Sequence, residues 1–131
     1  MTESLQPGTA VTVKYKSGRY HGEIVQTEPK KNTAVVKITA VIDHPVQGDL
    51  HHPKQTNVPL FHERKALSKN EKANVPLNVI KRFDGEVPDY AASLKEAVEK
   101  QRRELQSLET DWSNKALETL RTVEQDYRYD Q

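Results

Sequence analysis

An α+β protein, with an N-terminal antiparallel SH3-like β-barrel and a C-terminal α-helical hairpin, is what this chain's patterning predicts. Three observations lead there. Apolar and polar residues alternate with a period of two over much of residues 11–42. From residue 88 the period becomes 3.6. The net charge changes sign at the same place, from +4 over residues 1–87 to −3 over residues 88–131. The expected organisation is a barrel domain over 1–87, carrying a long His/Pro-rich loop at 44–62, and a helical region over 88–131.

Val11, Val13 and Tyr15 alternate with Thr12, Lys14 and Lys16, which reads as a strand. Ser17-Gly18 offers a two-residue hairpin loop, because glycine tolerates the positive φ such turns need. The return strand is expected from Arg19, with Tyr20, Gly22 and Ile24 on one face; Gly22 inside it signals a bulge or a close backbone approach. After the polar turn "TEPKKNT" comes "AVVKITAVID", with Ala34, Val36, Ile38, Ala40 and Ile42 on one face. Three strands cannot enclose a core, so further pairing has to come from residues 58–75, and Pro76 is expected to open one helical turn.

In the C-terminal part, Tyr90, Leu94, Ala97, Val98, Leu105 and Leu108 form a helical stripe interrupted by Gln101, behind Asp89 as N-cap. Trp112, Ala116, Leu120, Val123 and Tyr127 form a second stripe, capped by Thr110 or Asp111. The short join predicts an antiparallel hairpin. Such a pair packs on its own barrel or keeps part of a stripe open for a partner. Tyr90, Leu94 and Trp112 are the candidate partner face, and a homodimer through the helices is possible.

Composition narrows the function. Of 131 residues 34% are apolar and 30% charged, polar for a globular chain, which suggests an elongated shape or a face completed by a partner. No cysteine is present, so disulfides, thiolate zinc sites, a thiol nucleophile and lipidation through cysteine are all excluded. The opening "MTESLQPGTAVTV" has no basic start and no apolar signal core, so a cytoplasmic protein without a direct membrane anchor is expected.

Four of the five histidines lie in "HPVQGDLHHPKQTNVPLFHERKAL". The donors Asp43, His44, Asp49, His51, His52, His62 and Glu63 match no metal spacing: there is no HExxH and no helical His pair four apart. Nucleophile elbow, P-loop, dinucleotide and kinase signatures are absent too. No catalytic residue, metal, cofactor or small-molecule substrate is therefore expected. Lys14, Lys16 and Arg19 beside Tyr15 and Tyr20, with Lys30-Lys31, leave a nucleic-acid-binding barrel as the alternative, although an excess of +4 is weak support.

Three stretches, "HPVQGDLH" at 44–51, "VPLFHERKAL" at 58–67 and "GEVPDYAASLKEA" at 85–97, together with "VKYKSGRYHGEI", resemble the kinase-associated protein B family of spore-forming bacilli. The resemblance implies an SH3-like sheet domain with a helical extension. It also implies an accessory activator of a sensor histidine kinase, or of another phosphorelay component, acting by contact and without catalytic residues. The family is sometimes called a lipoprotein, and the missing cysteine departs from that. Within this frame His44, Gln47, Asp49, His51 and Phe61 are expected to build or display a proline-braced interaction loop.

Overall fold

The computed structural model describes residues 5–48, 56, 61 and 63–127. Five strands form one antiparallel sheet: β1 (Ala10–Tyr15), β2 (Gly18–Glu28), β3 (Thr33–Asp43), β4 (Lys72–Pro76) and β5 (Ile80–Arg82), in the order β4-β3-β2-β1-β5. Two helices follow, α1 (Tyr90–Leu108) and α2 (Asp111–Glu124).

The two edge strands are neighbours in sequence. A single 3-10 turn, Leu77–Val79, carries the chain from β4 to β5, so the sheet has to curl until its edges meet at one corner. Among the described residues no ladder joins β4 to β5. The α+β class stands, but the barrel expected from sequence is a curled sheet left unsealed. Pro76 ends β4 without an N–H to offer, and all three residues of β5 pair with β1.

Local registers refine the expectation. In the first hairpin Tyr15 pairs with Gly18, so the loop is Lys16-Ser17, one residue earlier than expected. Lys16 takes the positive φ (54°) while Gly18 sits inside β2. Gly18 is needed there for space, because a Cβ would lie 2.5 Å from the Tyr20 hydroxyl. At Gly22 both anticipated features occur: the register slips between His21 and Gly22, and a Cβ would lie 2.4 Å from a Val36 methyl. A further slip between Arg19 and Tyr20 turns Val41 inward, so Ile42 leaves the face that alternation gives it with Ala34, Val36, Ile38 and Ala40.

Both helices start at the anticipated caps. The Asp89 carboxylate accepts from the Ala92 N–H at 3.0 Å, and Thr110 forms a reciprocal capping box with Ser113. Between them Glu109 adopts a left-handed conformation (φ 51°) and α2 folds back on α1, where Arg102 pairs with Glu124. Leu94, Ala97, Val98 and Leu105 of α1, with Trp112, Ala116 and Leu120 of α2, join Val13, Tyr20, Val36, Ile38 and Val75 of the sheet in one apolar cluster.

Candidate functional site

Where β3 ends, the chain enters the His/Pro-rich segment through His44, whose side chain is buried (3% exposed). The tautomer follows from its partners. A carbonyl can only accept, so the Nδ1–H donates to Pro45 O at 2.9 Å. Nε2 then carries the lone pair and accepts from the Tyr127 hydroxyl at 2.6 Å. That hydroxyl in turn accepts from the Ala66 N–H at 2.9 Å. The His44 and Tyr127 rings meet edge to face, 5.7 Å between centroids. Burial holds the His44 pKa below the ordinary imidazole value, against smaller opposing effects from its hydrogen bonds and Glu124. The neutral ring is the form this geometry uses.

Gln47, also buried, staples the same turn to residue 64. Its Nε2 donates to Pro45 O and Arg64 O, each at 3.0 Å, and its Oε1 accepts from the Arg64 N–H at 2.8 Å. Arg64 reciprocates through Nη1, which donates to the carbonyls of Val46 and Gly48. Gly48 is required here: its φ is +99°, and a Cβ would come within 3.0 Å of the Phe61 ring. Phe61 packs on the edge of the core beneath the Lys115 ammonium, 4.9 Å from the ring centre.

Residues 64–67 are held by tyrosines from three separate elements. Tyr127, just past α2, accepts from Ala66 N; Tyr20 of β2 accepts from Leu67 N at 3.3 Å; Tyr90 of α1 donates to Leu67 O. Burial pushes the Tyr20 and Tyr127 phenols up to about 12 and raises Tyr90 further, so all three are protonated across the physiological range. From α1, Gln101 donates to the carbonyls of His44 (3.0 Å) and Pro45 (3.1 Å). On the outer side Asp43 accepts from Lys100 and Arg19. Burial alone would raise the Asp43 pKa, but Lys100 and Arg19 outweigh it and hold the carboxyl below its usual value.

The structure thus brings His44, Gln47 and Phe61 to one junction. His44 and Gln47 build it from inside and do not face solvent. Asp49 and His51 lie outside the described residues. Leu94 and Trp112, put forward as a partner face, are buried in the chain's own core, while half-buried Tyr90 turns its hydroxyl to Leu67. Arg64, Gln101 and Tyr127 complete the junction, and sequence reasoning did not single them out as site residues. Gln101 had a signal, as the polar break in an apolar stripe. Among the described residues no cluster of three or more His, Asp or Glu side chains could hold a metal. Of the alternative nucleic-acid platform, Tyr20 is 1% exposed and Arg19 is paired with Asp43, so no two-tyrosine stacking surface forms.

Comparisons with known proteins converge. A family model described as "Kinase associated protein B" matches residues 15–128. A protein of Bacillus subtilis (strain 168) named "Kinase-associated lipoprotein B" is 45% identical over 124 residues, spanning 95% of each chain. A crystal structure of kinase-associated protein B from Bacillus cereus superimposes with a TM-score of 0.79 at 35% identity, covering 95% of this chain and 98% of that one.

Proposed function

The chain belongs to the kinase-associated protein B family, and from that premise we propose that it is a non-enzymatic regulator that activates a sensor histidine kinase of the sporulation phosphorelay by direct contact. One observation carries this reading. Two of the three stretches that carry the family resemblance are bolted together through their described ends, 44–48 and 64–67, where Gln47 pairs with the backbone of Arg64 and Tyr127 bridges His44 to Ala66. Their polar groups satisfy one another and so preform a surface, and a preformed surface lowers the ordering cost of association.

The site of action is the cytoplasm, with membrane proximity supplied by the kinase. Among the described residues no helix is long and apolar enough to cross a membrane. The 131 residues contain no cysteine to carry a thioether-linked lipid, although the B. subtilis relative is named a lipoprotein.

In-cell photocrosslinking tests the reading. A photoreactive residue at Val46, which is 37% exposed, should capture a sensor histidine kinase, and purified protein should raise that kinase's autophosphorylation. Recovery of the chain with no kinase attached, together with unchanged autophosphorylation, would refute it.

A further inference from the structure

We propose that the cation-lined surface shared by the tip of the β1–β2 hairpin and the 44–46 turn receives a segment of the partner kinase rich in Asp and Glu. This rests on the kinase-contact reading above and names the surface that serves it.

The turn stands between two clefts. His44 and Val46 line one, of about 290 Å³, with Lys14, Arg19 and Lys100 set against the carboxylates of Asp43 and Glu104. Pro45 lines the other, of about 220 Å³, with Lys16, Arg64 and Lys65 set against Glu63. Cations outnumber carboxylates in both, and the pairing concentrates the excess at the hairpin. Asp43 is shared by Arg19 at 3.2 Å and Lys100 at 2.9 Å, so one carboxylate serves two cations. Arg64 directs Nη1 to the carbonyls of Val46 and Gly48, and Lys65 is paired with Asp126. Lys14 and Lys16 are exposed and, among the described residues, form no ion pair. The tip itself, "KYKSGR" at 14–19, contains no carboxylate.

Hairpin and turn form one rigid unit. Ser17 Oγ accepts from the Val46 N–H at 2.9 Å, and the Arg19–Asp43–Lys100 group ties β2 and β3 to α1. Val46 is 37% exposed, while His44, Pro45, Gln47 and Gly48 around it are buried. A partner therefore meets one apolar side chain with lysines on either side of it.

The interspersed acids select the occupant. A nucleic-acid backbone or an anionic bilayer repeats its negative charge without a break, so it would meet Glu104 in one cleft and Glu63 in the other. A protein segment can set carboxylates on Lys14 and Lys16, an apolar group on Val46, and neutral groups against the two glutamates. A second copy joined by a two-fold axis would set this cationic tip against itself.

Charge reversal at exposed positions tests the proposal. Lys14→Glu with Lys16→Glu reverses the tip. Lys30→Glu with Lys31→Glu makes the same change at the far end of the 11-residue β2, about 30 Å away. With purified kinase, the tip variant should need about tenfold more protein, or beyond, for half-maximal stimulation of autophosphorylation. The far-end variant should match wild type, all three should share one melting temperature, and rising salt should weaken wild-type stimulation. Equal stimulation by both variants, or stimulation indifferent to salt, overturns the proposal while kinase contact stands. Stimulation by none of the three, with no kinase captured at Val46, refutes the kinase-contact reading and this occupant with it. A second measurement needs only wild type. A synthetic Glu-rich peptide should shift the amide resonances of Lys14, Lys16 and Val46 saturably and leave Lys30 and Lys31 unmoved, and a Lys-rich peptide should shift none. No saturable shift overturns the proposal. Tighter binding of oligothymidylate or of phosphatidylserine vesicles at the tip also overturns it, by giving the surface to nucleic acid or to a membrane.

Discussion

α1 presents one stripe to two very different neighbours. At Leu94, Ala97 and Val98 it meets the sheet through apolar contact, and at Gln101, one turn on, it meets the His44 turn through hydrogen bonds. The first contact stabilises in proportion to buried area and tolerates small shifts. The second depends on donors and acceptors placed to within tenths of an ångström, and it contributes less net stability per bond. The helix–sheet contact therefore stabilises the fold more than the junction does. The junction determines which outline the 44–48 and 64–67 segments present.

That division is sharpest when the apolar side is broken. Leu120 of α2 is 1% exposed within the common cluster. Leu120→Ala should cost about 2–5 kcal/mol, the range for emptying such a site, read as a fall in the urea midpoint. A loss below about 1 kcal/mol would mean that α2 packs loosely and that the sheet stands without it.

An intermediate effect is expected from His44, and it should depend on pH. An unfolded histidine titrates near about 6.5, and the folded ring lies lower because it is buried. Where the folded pKa is depressed, the unfolded chain binds the proton first, so stability falls as pH drops through that unfolded value and continues to fall down to the folded pKa. The groups facing His44 are Tyr127 from beyond α2, Gln101 of α1, Glu124 of α2 and the Pro45 carbonyl. Protonation at Nε2 removes the acceptor that the Tyr127 hydroxyl uses. At pH 7.5 His44→Asn should cost about 1–3 kcal/mol through loss of the buried Tyr127–His44 hydrogen bond. Its urea midpoint should then decline less than wild type's between pH 7.5 and 5.5. His21 shifts in the same direction, through burial and Arg19. Parallel pH profiles for the two proteins would assign the acid sensitivity to His21.

The two regions were unequally legible in the sequence, for a physical reason. Helix caps and stripes are written within four residues of one another, so Asp89 and the Leu94–Leu105 face could be read directly and the second cap narrowed to Thr110 or Asp111. Strand alternation located Val11, Val13, Ile24, Val36 and Ile38 equally well. It failed where the period is interrupted. The bulge at Arg19/Tyr20 exchanged Val41 for Ile42, and the three-residue β5 after a 3-10 turn is too short to show a period. At the junction, the prolines and histidines around His44 and Gln47 drew notice. Their partners Arg64, Gln101 and Tyr127 lie 17, 57 and 83 positions away from them. No local pattern encodes bonds across such separations. Only the break in the stripe at Gln101 hinted that α1 meets something polar there.

The smallest expected effect falls where the two regions touch. Lys115 leaves the α2 surface and lays its ammonium over the Phe61 ring, which also lies against the left-handed Gly48 at the mouth of the junction. Lys115→Met keeps an apolar stem over the ring and removes the charge, isolating a cation–π contact worth about 0.5–1 kcal/mol at a partly exposed site. The unfolding free energy from a urea titration should fall by that amount. Amide protection at Arg64 and Ala66 should hold, because their hydrogen bonds run to Gln47 and Tyr127 and not through Phe61. If protection at Arg64 collapses with the charge, the junction draws its order from α2, and the separation between an apolar scaffold and a self-sufficient polar turn fails at its weakest link.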